Sequence, residues 1–199
     1  VKEAPRTAVV QNVKPECIAE RITCFGGLKV IGADGADVSK KMSPKIRQLF
    51  ALILLYSVGS QKGISSKEMS DLLWPGVSPQ NAKNIRGTNI QNLKALLAPC
   101  SGIKLIFQDK LWFFEFSEEC FIDYAFVVNW LSEERYYDLE RLTSGLPGFI
   151  SVLKNGTFFQ NLNESWIDPY VSQVSTRVIE YGESLFQVLQ EGKYDTLLL

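Results

Sequence analysis

The residues between positions 79 and 97 combine amide and hydroxyl side chains with a helical spacing. At about 100° per residue along a helix, one face carries Asn84, Thr88 and Gln91, with Asn92 beside them. Asn and Gln pair bidentately with adenine edges, and the methyl group of Thr contacts the thymine methyl group. This face therefore predicts the reading of base edges in duplex DNA. A polar helix face is also typical of a surface that contacts only water.

Cations and a glycine flank that face. Lys83 and Lys94 suit phosphate groups, whose contacts fix the register of a protein on DNA and make its affinity depend on salt. Gly87 lets the helix approach the DNA closely. Arg86 lies beside the apolar side of the helix, so it is either a third phosphate ligand or the internal partner of an acidic residue such as Asp71.

The segment that follows adds a second group of candidates. Residues 103–107 and 111–116 predict the two strands of a hairpin. Lys104 and Lys110 on it are candidates for phosphate contacts, and Gln108 is a candidate for a minor-groove contact. The second strand also holds four aromatic side chains, which are Trp112, Phe113, Phe114 and Phe116. Such a group is more typical of a hydrophobic core than of a platform on which single-stranded bases stack.

Composition excludes or disfavours several other kinds of chemistry. The 199 residues include no His, which excludes Ser-His-Asp and Cys-His catalysis and any His-ligated metal. The four Cys form no CxxC pair and there is no glycine-rich phosphate loop. We therefore expect no enzymatic activity, no cofactor and no metal. The longest apolar run, residues 49–56, is too short to span a bilayer, and the scattered cysteines favour a reducing compartment, the cytoplasm.

The formal net charge of -1 conceals a division of charge along the chain. Residues 1–20 are neutral, whereas residues 21–118 hold thirteen Lys and Arg against seven Asp and Glu, a net +6. Residues 119–199 hold five cations against twelve carboxylates, a net -7. A basic part followed by an acidic part suggests two domains with different partners, and the basic part suits nucleic acid. Because the chain opens with Val1, we expect it to be a piece of a longer protein.

The elements that must position these residues follow a recognisable order. Short strands are predicted over residues 21–39, with Val38 closing a hairpin. Three helices follow: one from Ser43-Pro44, one capped by Ser65 or Ser66, and one from Ser78-Pro79 to Leu97. The hairpin comes next, and the order is that of a winged helix-turn-helix, in which the third helix enters the major groove. Beyond it, the acidic part predicts helices over 123–131, over 133–142, and from Asn163 or Ser165 to Gln190.

Several motifs, in this order and spacing, resemble the SARP-like bacterial transcriptional activators, in which an OmpR/PhoB-type winged helix precedes a bacterial transcriptional activator domain. The matching pieces cover roughly residues 21–195. They are Ile22 to Gly26 at the first strand, Leu72-Leu73-Trp74-Pro75-Gly76 as the family's LWP motif, the run from Ala82 through Arg86-Gly87 to Leu97, Ile122 to Phe126 as the junction, and Asn163 to Ile167 around a tryptophan.

The resemblance implies a function and partners for this chain. It implies a linker or tail at 1–20, a DNA-binding winged helix at 21–118, and a truncated, tetratricopeptide-like (TPR-like) activator domain at 119–199. It implies a cytoplasmic activator that binds double-stranded DNA, with more than one protomer, or a homodimer, on direct repeats. It further implies that a loop contacts RNA polymerase, and the residues of this loop are Trp74, Pro75, Gly76 and Ser78. Trp74 itself is more typical of a core anchor.

Two alternatives belong to other classes of function. A winged helix followed by helical repeats can serve as a scaffold that binds proteins and not DNA. The aromatic side chains of the hairpin alternatively predict a single-strand binder. Measured affinity for duplex DNA and its dependence on salt distinguish a DNA-binding regulator from the first alternative. A preference for oligo(dT) over duplex is expected only of the second.

Overall fold

The computed structural model describes residues 20–58, 62–132, 139–188 and 190. The chain divides into two compact units. Of the described residues, those from Glu20 to Thr23 and from Leu28 to Ile122 belong to the first unit, and those from Cys24 to Gly27 and from Asp123 onward belong to the second. These bounds differ from the predicted 21–118 and 119–199, because a four-residue segment near the start of the chain belongs with the second unit. The predicted tail at 1–20 lies, except for Glu20, outside the described residues.

The first unit contains two small three-stranded sheets and three α-helices among its described residues. One sheet has the order β2-β1-β6, with β1 antiparallel to β2 and parallel to β6. The bounds of these strands are β1 Glu20–Thr23, β2 Lys29–Ile31 and β6 Cys120–Ile122. The predicted short hairpin is present but closes one residue before Val38, because Asp37 forms the antiparallel bridge with Ile31. Val38–Lys41 forms a 3-10 helix, because the Asp37 carboxylate accepts the N–H of Ser39 and caps it.

Helix α1, Pro44–Val58, lies at the centre of the first unit, and every residue from Leu49 to Leu55 is buried. A helix that is apolar on all sides is typical of an element with neighbours all round. Helix α2, Ser66–Leu73, begins after Ser65, whose side chain accepts the N–H of Glu68. Helix α3 spans Pro79–Leu97, with the proline in its first turn where the missing N–H costs nothing. All three predicted helices are therefore present.

The second sheet holds the predicted hairpin. Its order is β3-β5-β4, and both pairings are antiparallel. The strands are β3 Ile64–Ser65, β4 Ile103–Gln108 and β5 Leu111–Phe116. The connecting residues Asp109 and Lys110 have φ angles of 52° and 66°. Positive φ at both central residues is the signature of the type I′ turn, whose twist matches that of the flanking strands.

In the described part of the second unit, the regular structure consists of helices and one isolated bridge between Phe25 and Phe158. Its helices are α4 Asp123–Ser132, α5 Leu139–Leu153 and α6 Asp168–Val188. The first matches its prediction closely. The second was predicted over 133–142, of which 133–138 lie outside the described residues, and it continues to Leu153. The third was predicted from Asn163 or Ser165 but begins at Asp168, since residues 165–167 form a turn and Pro169 is a residue of the first helical turn.

The segment Cys24–Gly27 is bonded into the second unit through its backbone. The Asp123 carboxylate accepts the N–H of Cys24 at 2.8 and 2.9 Å and that of Phe25 at 3.1 Å. Gly26 N–H donates to the carbonyl of Thr157 at 3.0 Å, and Phe159 N–H donates to the carbonyl of Cys24 at 2.7 Å. These bonds explain why a segment between two strands of the first unit is part of the second.

Candidate nucleic-acid interface

Helix α3 has one apolar and one polar side, as its spacing predicts. Its buried residues are Ala82, Ile90, Leu93 and Leu97. The candidate DNA-reading residues that lie exposed are Lys83, Asn84, Gly87, Thr88, Gln91, Asn92 and Lys94. Ile85, which the pattern counts among the apolar positions, is exposed as well. The backbone periodicity therefore places seven of the eight helix candidates on a surface that a ligand can reach.

The charge of α3 has one sign. Its 19 residues contain Lys83, Arg86 and Lys94 and no Asp or Glu. Like charges on one helix repel each other, and this repulsion is relieved when an anion binds. A polar surface without carboxylates is what a phosphate backbone requires of a protein helix that approaches it.

Arg86 holds α3 against α2 and is half-buried. One of its guanidinium nitrogens donates to the carbonyl of Ser66 at 2.9 Å and to the hydroxyl of Ser70 at 2.5 Å. Burial lowers the pKa of Arg86 from its ordinary value. The structure thus gives Arg86 an internal role, but the expected partner, Asp71, is wrong, because Asp71 pairs with Lys67 at 2.7 Å.

The amide and hydroxyl groups of α3 differ in what they offer to a ligand. Gln80 donates to the Oδ1 of Asn84 at 3.3 Å, and Thr88 donates its hydroxyl to the carbonyl of Asn84 at 3.2 Å. Thr88 therefore offers a ligand its methyl group and an acceptor oxygen. The side chains of Gln91 and Asn92, about two turns further from the start of the helix than Asn84, are exposed. An exposed amide presents a donor and an acceptor in the geometry that an adenine edge matches.

The two lysines of the hairpin are exposed but have different surroundings. Lys104 lies directly opposite Glu115 in the register of β4 and β5. A carboxylate across the strand lowers the attraction of this lysine for a phosphate. Lys110 lies in the turn at the tip of the hairpin. Of the two, Lys110 is the better candidate for a phosphate contact.

The aromatic side chains of β5 are mainly packed into the unit. Phe114 is buried, and its ring centroid lies 4.8 Å from that of Phe50 in α1. Trp112 donates its indole N–H to the hydroxyl of Ser66 at 3.0 Å. The residue that sequence analysis missed is Phe107, which is 52% exposed at the tip of the hairpin. Strand alternation groups Phe107 with the core-facing Leu105, and only the overhang of the tip leaves it exposed.

The loop between α2 and α3 divides into an anchor and a surface. Trp74 is only 9% exposed, which favours its interpretation as a core anchor over a direct contact with a polymerase. Lys45 supports this region by donating to the carbonyl of Leu73 at 3.0 Å. The remaining loop residues are exposed, and they are Pro75, Gly76, Val77 and Ser78.

Two further kinds of site are absent from the described residues. None of their helices is both long and apolar enough to cross a bilayer. None of their Cys, Asp or Glu side chains form a group of three or more arranged to hold a metal ion.

Comparison with known proteins finds similarity in structure and not in sequence. No family model matches the chain, and no curated protein matches it in sequence. A solved structure that the chain resembles is Mycobacterium tuberculosis EmbR in complex with a low-affinity phosphopeptide, with a TM-score of 0.59 and 18% sequence identity. The likeness covers 82% of this chain and 44% of the EmbR chain, so this chain spans less than half of that protein. It shows a shared fold of small sheets and helices.

Proposed function

We propose that this chain is a DNA-binding transcriptional regulator of the SARP type, and that α3 enters the major groove of duplex DNA. In this proposal the first unit is an OmpR/PhoB-type winged helix whose wing is the β4–β5 hairpin. The second unit is a TPR-like activator domain. The observation that carries the proposal is the exposed face of α3, which has three cations nearby and no carboxylate. The similarity of fold to EmbR, a transcriptional regulator of the SARP family, supports it.

The residues have separate roles in this proposal. Asn84, Gln91 and Asn92 read base edges, and Thr88 contacts a thymine methyl group. Phosphates are bound by Lys83, Lys94 and Lys110, with a weaker contribution from Lys104 beside Glu115. Gly87 allows close approach. Arg86 is a positioning residue, because its guanidinium is bonded to α2.

The remaining surfaces are assigned to protein partners. Pro75, Gly76 and Ser78, with Val77 between them, contact RNA polymerase, and Trp74 holds that loop in place from within. The second unit, where residues 123–199 carry five cations and eleven carboxylates, repels phosphates and is therefore expected to face protein. Two copies of the chain occupy direct repeats.

The first experiment selects binding sites from random duplex DNA and then measures affinity by fluorescence anisotropy between 50 and 200 mM salt. Three to four phosphate contacts predict a plot of log affinity against log salt with a slope of about -3. An absence of duplex binding at the lowest salt favours the protein-binding scaffold. Tighter binding of oligo(dT) than of duplex favours the single-strand binder.

Substitutions on α3 locate the site. Asn92→Ala is expected to weaken binding of the selected duplex by about tenfold while leaving a scrambled duplex almost unaffected, since a bidentate base contact is worth about 1–3 kcal/mol. Lys83→Glu is expected to weaken both duplexes. The matched control is Lys154→Glu, a charge reversal at an exposed lysine directly after α5. Equal loss in Lys83→Glu and Lys154→Glu would show that net charge, and not α3, determines binding.

A further inference from the structure

One lysine of α3 has an aromatic ring as its neighbour. The ammonium nitrogen of Lys94 lies 5.8 Å from the centre of the Trp112 ring in β5. At this distance the negative face of the ring attracts the cation. Lys94 is exposed and Trp112 is half-buried, so the ammonium group rests on the ring and remains within reach of a ligand.

The ring restrains Lys94 without cancelling its charge. Two other lysines of the first unit have carboxylates beside them. Lys67 lies 2.7 Å from Asp71, and Lys104 lies opposite Glu115 in the register of β4 and β5. A carboxylate offsets the charge that a phosphate would meet, whereas an aromatic ring has no net charge. Among the described residues no carboxylate forms an ion pair with Lys94, which therefore offers a full charge on a restrained side chain.

The Trp112 ring is itself held in place. Its indole N–H donates to the hydroxyl of Ser66, the first residue of α2, at 3.0 Å. The centroid of the Phe107 ring lies 4.5 Å from that of Trp112. The backbone of Trp112 pairs with Phe107 of β4 on one side and with Ile64 of β3 on the other. Side-chain and backbone contacts together leave the ring little freedom to turn away from Lys94.

The residue that anchors Trp112 also anchors α3. The carbonyl of Ser66 accepts a hydrogen bond from the Arg86 guanidinium at 2.9 Å, while its hydroxyl accepts the indole N–H. Ser66 thus joins the helix that carries Lys94 to the strand that carries the ring. The distance between Lys94 and Trp112 is therefore set by bonds within the fold and not by the lysine side chain alone.

Resting on the proposed DNA-binding function, we propose that Trp112 is a positioning residue that holds the ammonium group of Lys94 where a phosphate of the duplex contacts it. Lysine has a long, flexible stem and loses rotamer freedom when it is immobilised by a ligand. The ring removes part of this freedom before the DNA arrives, so less is lost on binding. Trp112 acts through Lys94 alone and makes no contact with the DNA.

A double-mutant cycle on the whole chain tests this dependence, with affinity for the selected duplex as the readout. Trp112→Leu is expected to weaken binding by about fivefold when Lys94 is present, and to have no effect in the Lys94→Met background. Trp112→Phe keeps an aromatic face but loses the bond to Ser66, so its affinity is expected to lie between those of wild type and Trp112→Leu. The matched control is Phe116→Leu, at another half-buried aromatic residue of β5, which is expected to bind as wild type does.

Each outcome has a distinct meaning. Equal losses from Trp112→Leu with and without Lys94 would mean that Trp112 acts on the fold or touches the DNA itself, and the inference is overturned while the proposed function stands. Unchanged affinity in Trp112→Leu or in Lys94→Met overturns it too, as does an equal loss in Phe116→Leu. Urea unfolding checks that each variant is folded, and Trp112→Phe takes the place of Trp112→Leu in the cycle if the leucine variant is not. If wild type does not bind duplex DNA, the proposed function itself fails.

Discussion

At the scale of single residues, burial decides which polar groups serve the fold and which are left for a ligand. Arg86 and Lys83 are cations of the same helix, three positions apart. The guanidinium of Arg86 is bonded to Ser66 and Ser70, whereas Lys83 is exposed. Replacing Arg86 leaves Ser66 and Ser70 without their cationic partner and is therefore expected to lower the free energy of unfolding. Removal of the Lys83 charge is expected to cost affinity for DNA alone.

Asp123 is the residue whose protonation is expected to affect stability. Its carboxyl is buried, which raises its pKa from the ordinary 3.8 to about 6, and the N–H groups of Phe25 and Cys24 that donate to it oppose that rise. A pKa that is higher in the folded state means that folding favours the protonated form. The contribution of this group is therefore fully present below pH 3.8 and is lost as the pH rises through about 6.

Comparison with Asp123→Asn tests this prediction. The amide does not titrate, so the free energy of unfolding of wild type minus that of the variant should fall between pH 4 and pH 7, by on the order of 3 kcal/mol. Urea unfolding at pH 4, 5, 6 and 7 measures the difference, and other titrating groups cancel in it. A difference that stays constant or grows with pH contradicts the raised pKa.

At the scale of secondary-structure elements, the hairpin turn combines a conformational cost with a proposed function. Lys110 has a φ of 66°, which is unfavourable for a residue with a Cβ atom. Lys110→Gly is expected to raise the free energy of unfolding by about 0.5–1 kcal/mol. The same change removes a proposed phosphate contact, so the salt slope of DNA binding is expected to become smaller by about 0.9.

Lys110→Ala separates the two effects. Alanine retains the strain of the positive φ but removes the charge, so it is expected to change the slope as glycine does without the gain in stability. Thermal unfolding and anisotropy on the same three proteins give both quantities. If Lys110→Gly alters stability alone, the tip of the hairpin does not contact phosphate.

The elements were predictable where one local signal decided them. Pro44 and Pro79, each after a serine, gave the starts of α1 and α3, and the apolar spacing gave the buried face of α3. The start of α6 was missed because Asn163 and Ser165 are also capping residues, although Pro169 in the first turn is a local signal for the later start. The exposed polar face of α3, which is the candidate site, was predictable from the same periodicity. The partner of Arg86 and the exposure of Phe107 depend on how α2 and the hairpin pack, which a one-dimensional pattern does not contain.

At the scale of the whole molecule, the chain crosses between units three times. It leaves the first unit at Cys24, returns to it at Leu28, and leaves again at Asp123. A boundary drawn at residue 118 from the change of charge therefore cuts the second unit away from Cys24–Gly27. Composition records where the charge changes, but backbone hydrogen bonds with the segment 155–159 determine which residues fold together.

Gly26 is where this crossing is most constrained. It has a φ of 76°, and a Cβ atom there would lie 2.1 Å from the carbonyl oxygen of Asn155. Gly35 has nearly the same φ, 78°, but a Cβ atom there meets nothing within 4 Å. Gly35→Ala therefore measures the cost of the backbone conformation alone, about 1 kcal/mol. Gly26→Ala is expected to cost more, about 3 kcal/mol or above, because the backbone of the second unit must also move.

Hydrogen exchange of the intact chain shows where that cost arises. In Gly26→Ala we expect faster exchange of the amides of residues 155–159 and of α4, although the substitution lies between two strands of the first unit. Gly35→Ala is expected to leave those amides unchanged. Equal stability and equal exchange in the two variants would mean that Cys24–Gly27 is not part of the second unit. Faster exchange in Gly26→Ala would mean that Cys24–Gly27 is part of the second unit. A shortened protein that contains only the second unit would then need this segment in order to fold.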